Sequence, residues 1–140
     1  MIMLTAHLKK YGMKRCPIDN SIKMIGRKFT LHILRNMILL KQKRFSQFLG
    51  SIEGISKKTL SIRLNEMQKE GLITRVVIST KPVQIEYSLT EKGEMFEPIL
   101  KLLGDLSVKY EPAIIFKDRK PRDFEDIFGR NVRLSSVYDY

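Results

Sequence analysis

Between Gly54 and Leu72 the chain places ammonium groups, hydroxyls and one amide at helical spacing. Lys57, Lys58 and Thr59 are suited to phosphate oxygens or base edges, and a helix N-terminus adds backbone N–H groups and a favourable dipole. Ser61, Ile62 and Asn65 are suited to base edges. An asparagine amide pairs bidentately with adenine, and an apolar side chain meets a thymine methyl. On a wheel of about 100° per residue with Leu60 at zero, Lys58, Ser61, Ile62, Asn65 and Lys69 fall on the far side. Leu60, Leu64 and Met67 recur at i, i+4, i+7 and form the opposite, core-facing stripe. A solvated face has no need of Ile62 at its centre, whereas a face pressed into a major groove uses it. The chemistry expected is recognition of double-stranded DNA, with no bond made or broken.

Nothing in the sequence points to catalysis. The acids are scattered, no Ser-His-Asp order or glycine-rich phosphate loop occurs, and no metal-ligand spacing exists. No cofactor is expected. His32 stands without a second His or a carboxylate cluster, so it reads as a packed or surface histidine.

The elements around this stretch are those that would present it. Ser56 is a good N-cap and also a candidate DNA contact at the start of the helix, and Gly71 is a good left-handed stop. Phe45, Phe48, Leu49 and Ile52 fit a short preceding helix, with residues 50–54 as the turn, which gives a helix-turn-helix. Arg44 and Ser46 begin that helix, where they would clamp the DNA backbone. After Gly71 the period changes to two, so residues 72–78 and 84–89 read as a hairpin with residues 79–83 at its tip. A hairpin in this position is a wing, and Lys81 at its tip is a candidate phosphate or minor-groove contact.

Upstream, residues 1–15 read as an arm or short helix. Cys16-Pro17 opens a helix whose Ile18, Ile22 and Ile25 are expected to be a buried stripe ending at Gly26. Residues 29–40 form a second, more apolar helix, the expected strut of the core. Downstream, Thr90 caps a helix over residues 91–110 in which Pro98 should produce a kink. Its apolar residues, among them Phe96, Ile99, Leu100, Leu103 and Leu106, cover a band wider than one core-facing stripe. This band is read as a homodimer interface, with a helix wholly buried in a monomer as the alternative. Residues 111–140 form a tail, with a charged linker at 117–123 and one amphipathic turn at Phe124, Ile127 and Phe128. Val132, Leu134, Val137, Tyr138 and Tyr140 suit an edge strand, and whether the tail packs on the domain, on a partner copy or on nothing is open.

The expected fold is thus α+β and mostly α: an arm over 1–15, a winged helix-turn-helix domain over 16–110, and a tail over 111–140. At 140 residues the chain has room for one modest core. No apolar run approaches the roughly 18 residues of a membrane span. A lone cysteine forms no intrachain disulfide and no secretory leader is evident, so a cytoplasmic location is expected. Residues 1–81 hold 17 Lys/Arg against 4 Asp/Glu, whereas the remainder of the chain is slightly acidic. The basic surplus sits on the half that carries the candidate recognition helix, which favours polyanion binding over a merely soluble surface.

Taken together, these segments resemble the HxlR-type winged helix-turn-helix transcription regulators across about residues 13–110. The resemblance is carried by Cys16-Pro17, Gly26-Arg27-Lys28-Phe29-Thr30, Ile33-Leu34-Arg35, Arg44-Phe45-Ser46-Gln47-Phe48 and Gly54-Ile55-Ser56. It continues through Leu60, Arg63-Leu64, Glu70-Gly71-Leu72-Ile73, Arg75, Glu86-Tyr87-Ser88-Leu89-Thr90, Gly93, Pro98 and Leu100. The chain departs from the pattern at Phe29, where tryptophan is usual, and at Gln84, where arginine is frequent. The resemblance implies a dimer, joined by N- and C-terminal helices, that binds operator DNA as a repressor or activator. It also implies, for some relatives, oxidant or electrophile sensing through a cysteine at the position of Cys16. A thiol at a helix N-terminus beside Lys14 and Arg15 suits that chemistry, and a small buried filler is the competing reading. A non-specific architectural DNA binder is the alternative to a regulator, and a small-molecule effector is not specified by the sequence.

Overall fold

The computed structural model describes residues 2–128. Its elements are α1 (Ile2–Lys10), α2 (Pro17–Ile25), α3 (Thr30–Leu39), α4 (Phe45–Ser51), α5 (Lys57–Lys69), β1 (Ile73–Thr80) and β2 (Val83–Leu89). They continue with α6 (Glu91–Glu94), α7 (Phe96–Tyr110), α8 (Pro112–Ile115) and α9 (Phe124–Phe128).

The core is organised on α3, whose Ile33, Leu34, Met37 and Ile38 are buried. Phe48 of α4, Leu60, Leu64 and Met67 of α5, Leu72, Ile73 and Tyr87 around the wing, and Phe96 of α7 complete one cluster. Burial of each such side chain contributes about 1.5–3 kcal/mol before the entropy of ordering is counted. That is what holds α5 with its stripe inward and its polar side in solvent. Gly71, at φ 74, provides the left-handed residue that ends α5 and lets Leu72 turn straight into β1.

β1 and β2 pair antiparallel from Ile73↔Leu89 to Thr80↔Val83, with an irregularity between Val77 and Ser79. The strands run further than the sequence suggests, so the tip shrinks from residues 79–83 to Lys81-Pro82. The base of the wing is tied to the body where the Tyr87 N–H donates to Lys43 O at 2.7 Å.

Four expectations need correction. Ile18 and Ile22 are not a buried stripe: they are 69% and 57% exposed, and α2 reaches the core only through partly buried Met24 and Ile25. Gly50 lies inside α4 rather than in the turn. The helix over 91–110 is two helices broken at Met95, because Pro98 lacks the N–H that would bond to residue 94. Phe96 is a core residue rather than an exposed interface residue, being 6% exposed, and Leu100 also packs against the core.

Part of the tail folds back on α7. Phe124 lies against Gly104, where a Cβ would fall 2.3 Å from its ring. The Phe124 N–H donates to Asp105 Oδ1 at 3.1 Å, and the buried Lys101 pairs with Glu125 at 2.6 Å. The side chain of Phe128 and the expected edge strand at Val132, Leu134, Val137, Tyr138 and Tyr140 lie outside the described residues.

Candidate nucleic-acid interface

The Ser56 Oγ accepts from the Thr59 N–H at 3.1 Å and donates to Thr59 Oγ1 at 3.0 Å. Both hydroxyls are therefore engaged in closing the first turn of α5, and Lys57 and Lys58 project from that turn into solvent. Ser61, Ile62 and Asn65 follow on the exposed side, with Ile62 42% exposed despite its apolar character.

Arg63 points the other way. Its Nε donates to Lys28 O at 2.7 Å and its Nη1 pairs with Glu66 at 3.3 Å. Arg27, from the turn between α2 and α3, holds the same Glu66 carboxylate. These bonds position α5 and leave Arg63 unavailable as a phosphate ligand.

Between α5 and the wing runs an open groove of about 420 Å³, lined in part by Ser61, Ile62, Asn65, Gln68 and Arg75. Neither Arg75, which enters the sequence analysis only through the family resemblance, nor Gln68 is a DNA-contact candidate from sequence. Arg75 gives no signal by alternation: two residues from the buried Ile73, it shares that residue's side of β1, and only its exposure in the fold puts it at the groove. Gln68 had none beyond its helical offset from Asn65. The groove gathers three of the expected base-reading residues onto one surface with a guanidinium.

The other candidates lie around this groove. Arg44 and Ser46 are exposed at the start of α4, with Arg44 3.6 Å from Glu86 of the wing. Lys81 is exposed at the tip of the hairpin, next to a surface whose Val76, Val77, Ile78 and Val83 are also exposed. Cys16, half-buried, is the N-cap of α2 and lines neither the groove nor the wing. His32 sits outside the interface, edge-on to Phe29. Partial desolvation of its ring, then Arg35 and Lys28, hold its pKa below the usual 6.5 although the side chain is largely exposed.

Among the described residues no cluster of three or more His, Cys, Asp or Glu is arranged to hold a metal ion. No described helix is long and apolar enough to cross a membrane.

The family model for HxlR-like helix-turn-helix proteins matches residues 24–114. The chain is 34% identical over 99 residues to the uncharacterized HTH-type transcriptional regulator YdeP of Bacillus subtilis, covering 71% of this chain and 77% of that one. Among solved structures it is similar to the reduced form of the transcriptional regulator YodB from B. subtilis. That match has a TM-score of 0.59 and 27% identity, over 70% of this chain and 97% of the other. It is also similar to the redox regulator HypR in its oxidized form, with a TM-score of 0.60 and 30% identity, over 66% and 94% of the two chains. A helix-turn-helix followed directly by a two-stranded wing is the architecture these proteins share. On the match over residues 24–114 and the agreement of fold, the chain belongs to the HxlR-like helix-turn-helix family and is a sequence-specific DNA-binding transcription regulator rather than an enzyme.

Proposed function

We propose that this regulator acts as a homodimer whose two α5 helices enter successive major grooves of a pseudo-palindromic operator, about 34–36 Å apart. The observation that carries the dimer is an apolar stripe left in solvent. Ile99, Leu102, Leu103 and Leu106 of α7 are 41–58% exposed, as are Ile18 and Ile22 of α2 at 69% and 57%. Exposed apolar surface on this scale suits a partner, and a second copy is the simplest one.

In each protomer Ser61, Ile62 and Asn65 read bases, Lys57, Lys58, Arg44 and Ser46 meet phosphates, and Lys81 adds a wing contact. Ser56 and Thr59 act mainly by holding the end of α5 in place. Light scattering of the purified chain, together with footprinting on genomic fragments, tests this reading. A dimer and a footprint with dyad symmetry are expected, and Leu103→Glu with Leu106→Glu should yield a monomer of much lower operator affinity. A monomer at all concentrations, or similar affinity for every duplex, contradicts it.

A second reading concerns control. Cys16 caps α2 beside Arg15, and the solved relative HypR is described as a redox regulator in oxidized and reduced forms. In this reading oxidation of Cys16 changes the dimer's affinity for DNA. DNA binding that is unchanged by peroxide, by diamide and by Cys16→Ser removes it.

A further inference from the structure

The side of α2 opposite Ile18 and Ile22 carries Asn20, Lys23 and Met24, and Arg27 follows at the next helical offset. These residues face the C-terminal half of α5 across an open cleft of about 540 Å³, which Arg15, Met67, Lys69, Glu66 and Glu70 also line. That volume is within the range of small-molecule sites, about 300–1,000 Å³. The half-buried Met24 makes part of the lining apolar, and Met67, a core residue, borders the cleft from within. The charged lining is unbalanced. Glu66 is already held by Arg27 and Arg63, which leaves Arg15, Lys23 and Lys69, none in an ion pair among the described residues, against the single carboxylate of Glu70; Arg15 also donates to Asn20 Oδ1 at 3.3 Å.

We infer that this cleft binds a small organic anion, a carboxylate or phosphate ester with an apolar body, as an effector. A duplex phosphate would use the cations of the lining but would have no use for the apolar surface of Met24. An apolar molecule with an acidic group uses both. Arg27 links the cleft to α5, because an anion that engages Arg27 competes with Glu66 for the same guanidinium. Ligand binding and the anchoring of the recognition helix are therefore coupled, and each must shift the other by the same factor. The regulatory half of this inference rests on α5 reading DNA, whereas the binding half does not.

The test is methyl NMR on the full chain labelled at methionine, titrated with phenyl phosphate and benzoate and, as an uncharged control, benzamide. The Met24 and Met67 methyl signals should shift saturably with at least one anion, at a Kd of about 1 mM or tighter. A Lys23→Gln, Lys69→Gln variant should bind at least roughly tenfold more weakly. Both lysines are exposed, and the buried Met37 methyl reports that the variant remains folded. The inference is overturned if neither anion shifts the two methyls, if benzamide binds equally well, or if the variant is unaffected. A DNA duplex that shifts these methyls when neither anion does would assign the cleft to phosphate instead. Since the readout involves no operator, failure here is separable from failure of the DNA-reading role of α5.

Discussion

Ser56 and Thr59 close on each other at the start of α5, backbone N–H to Oγ at 3.1 Å and hydroxyl to hydroxyl at 3.0 Å. The first turn of the recognition helix, which carries Lys57 and Lys58, is therefore fixed before DNA arrives. Ser56→Ala removes the cap and should cost about 1 kcal/mol in urea denaturation. Operator affinity should fall as well, because the two lysines lose a fixed platform. An unchanged denaturation midpoint would show that the first turn does not depend on this cap.

Asn36 is the most buried polar residue described, at 0% exposure on the inner side of α3. Its amide donates to Ser51 Oγ at 2.9 Å and to Gln42 Oε1 at 3.0 Å, joining α3 to the end of α4. Asn36→Ala should destabilise the fold by roughly 2–3 kcal/mol, since it leaves partners without a donor and opens space in the core. Equilibrium unfolding with an unchanged m-value checks this.

The contact between Phe124 and Gly104 predicts that two different substitutions have one consequence. Phe124→Ala removes the anchor, and Gly104→Val places methyl groups where the ring now lies. Either should release residues 117–128 from α7. Trypsin should then cut after Arg119 and Arg122 roughly tenfold faster than in the parent chain, while the core stays folded. Equal cleavage rates would mean the tail is not held by this contact.

The depressed pKa of His32 predicts a pH dependence. Partial desolvation, Arg35 and Lys28 all disfavour the imidazolium, so the unfolded chain binds this proton more readily than the folded one. The contribution is fully present above about pH 6.5, is lost as pH falls below that value toward the lower folded pKa, and then levels off. Stability measured across this window should slope less in His32→Gln than in the parent chain. Parallel slopes would contradict the assignment.

Much of the recognition unit is legible in the residues themselves. Ser56, Gly71 and the offsets of Leu60, Leu64 and Met67 are local signals, and the structure places the ends and the buried side of α5 accordingly. Period-two alternation likewise yields the wing, and the inward direction of Arg63 follows from the helical wheel. What escapes is information held between distant residues. Periodicity gives Ile18 and Ile22 a common face but says nothing of what covers it, and in the fold that face is in solvent. Asn36 looks like an ordinary polar position until Gln42 and Ser51 come around it. The hold of Arg27 on Glu66 spans 39 residues, and the seat of Phe124 exists only because Gly104 leaves a gap on another helix.

The central claim is that the exposed side of α5 reads sequence, and a salt-dependent binding titration tests it most directly. Once an operator is mapped, the affinities of the parent, Asn65→Ala and Lys58→Ala for operator and scrambled duplex are measured across a range of salt. Asn65→Ala should lose about 1–3 kcal/mol on the operator alone, collapsing the specificity ratio with no change in salt slope. Lys58→Ala should weaken both duplexes alike and reduce the salt slope by about one. If both variants bind both duplexes as the parent does, α5 is not the reading element.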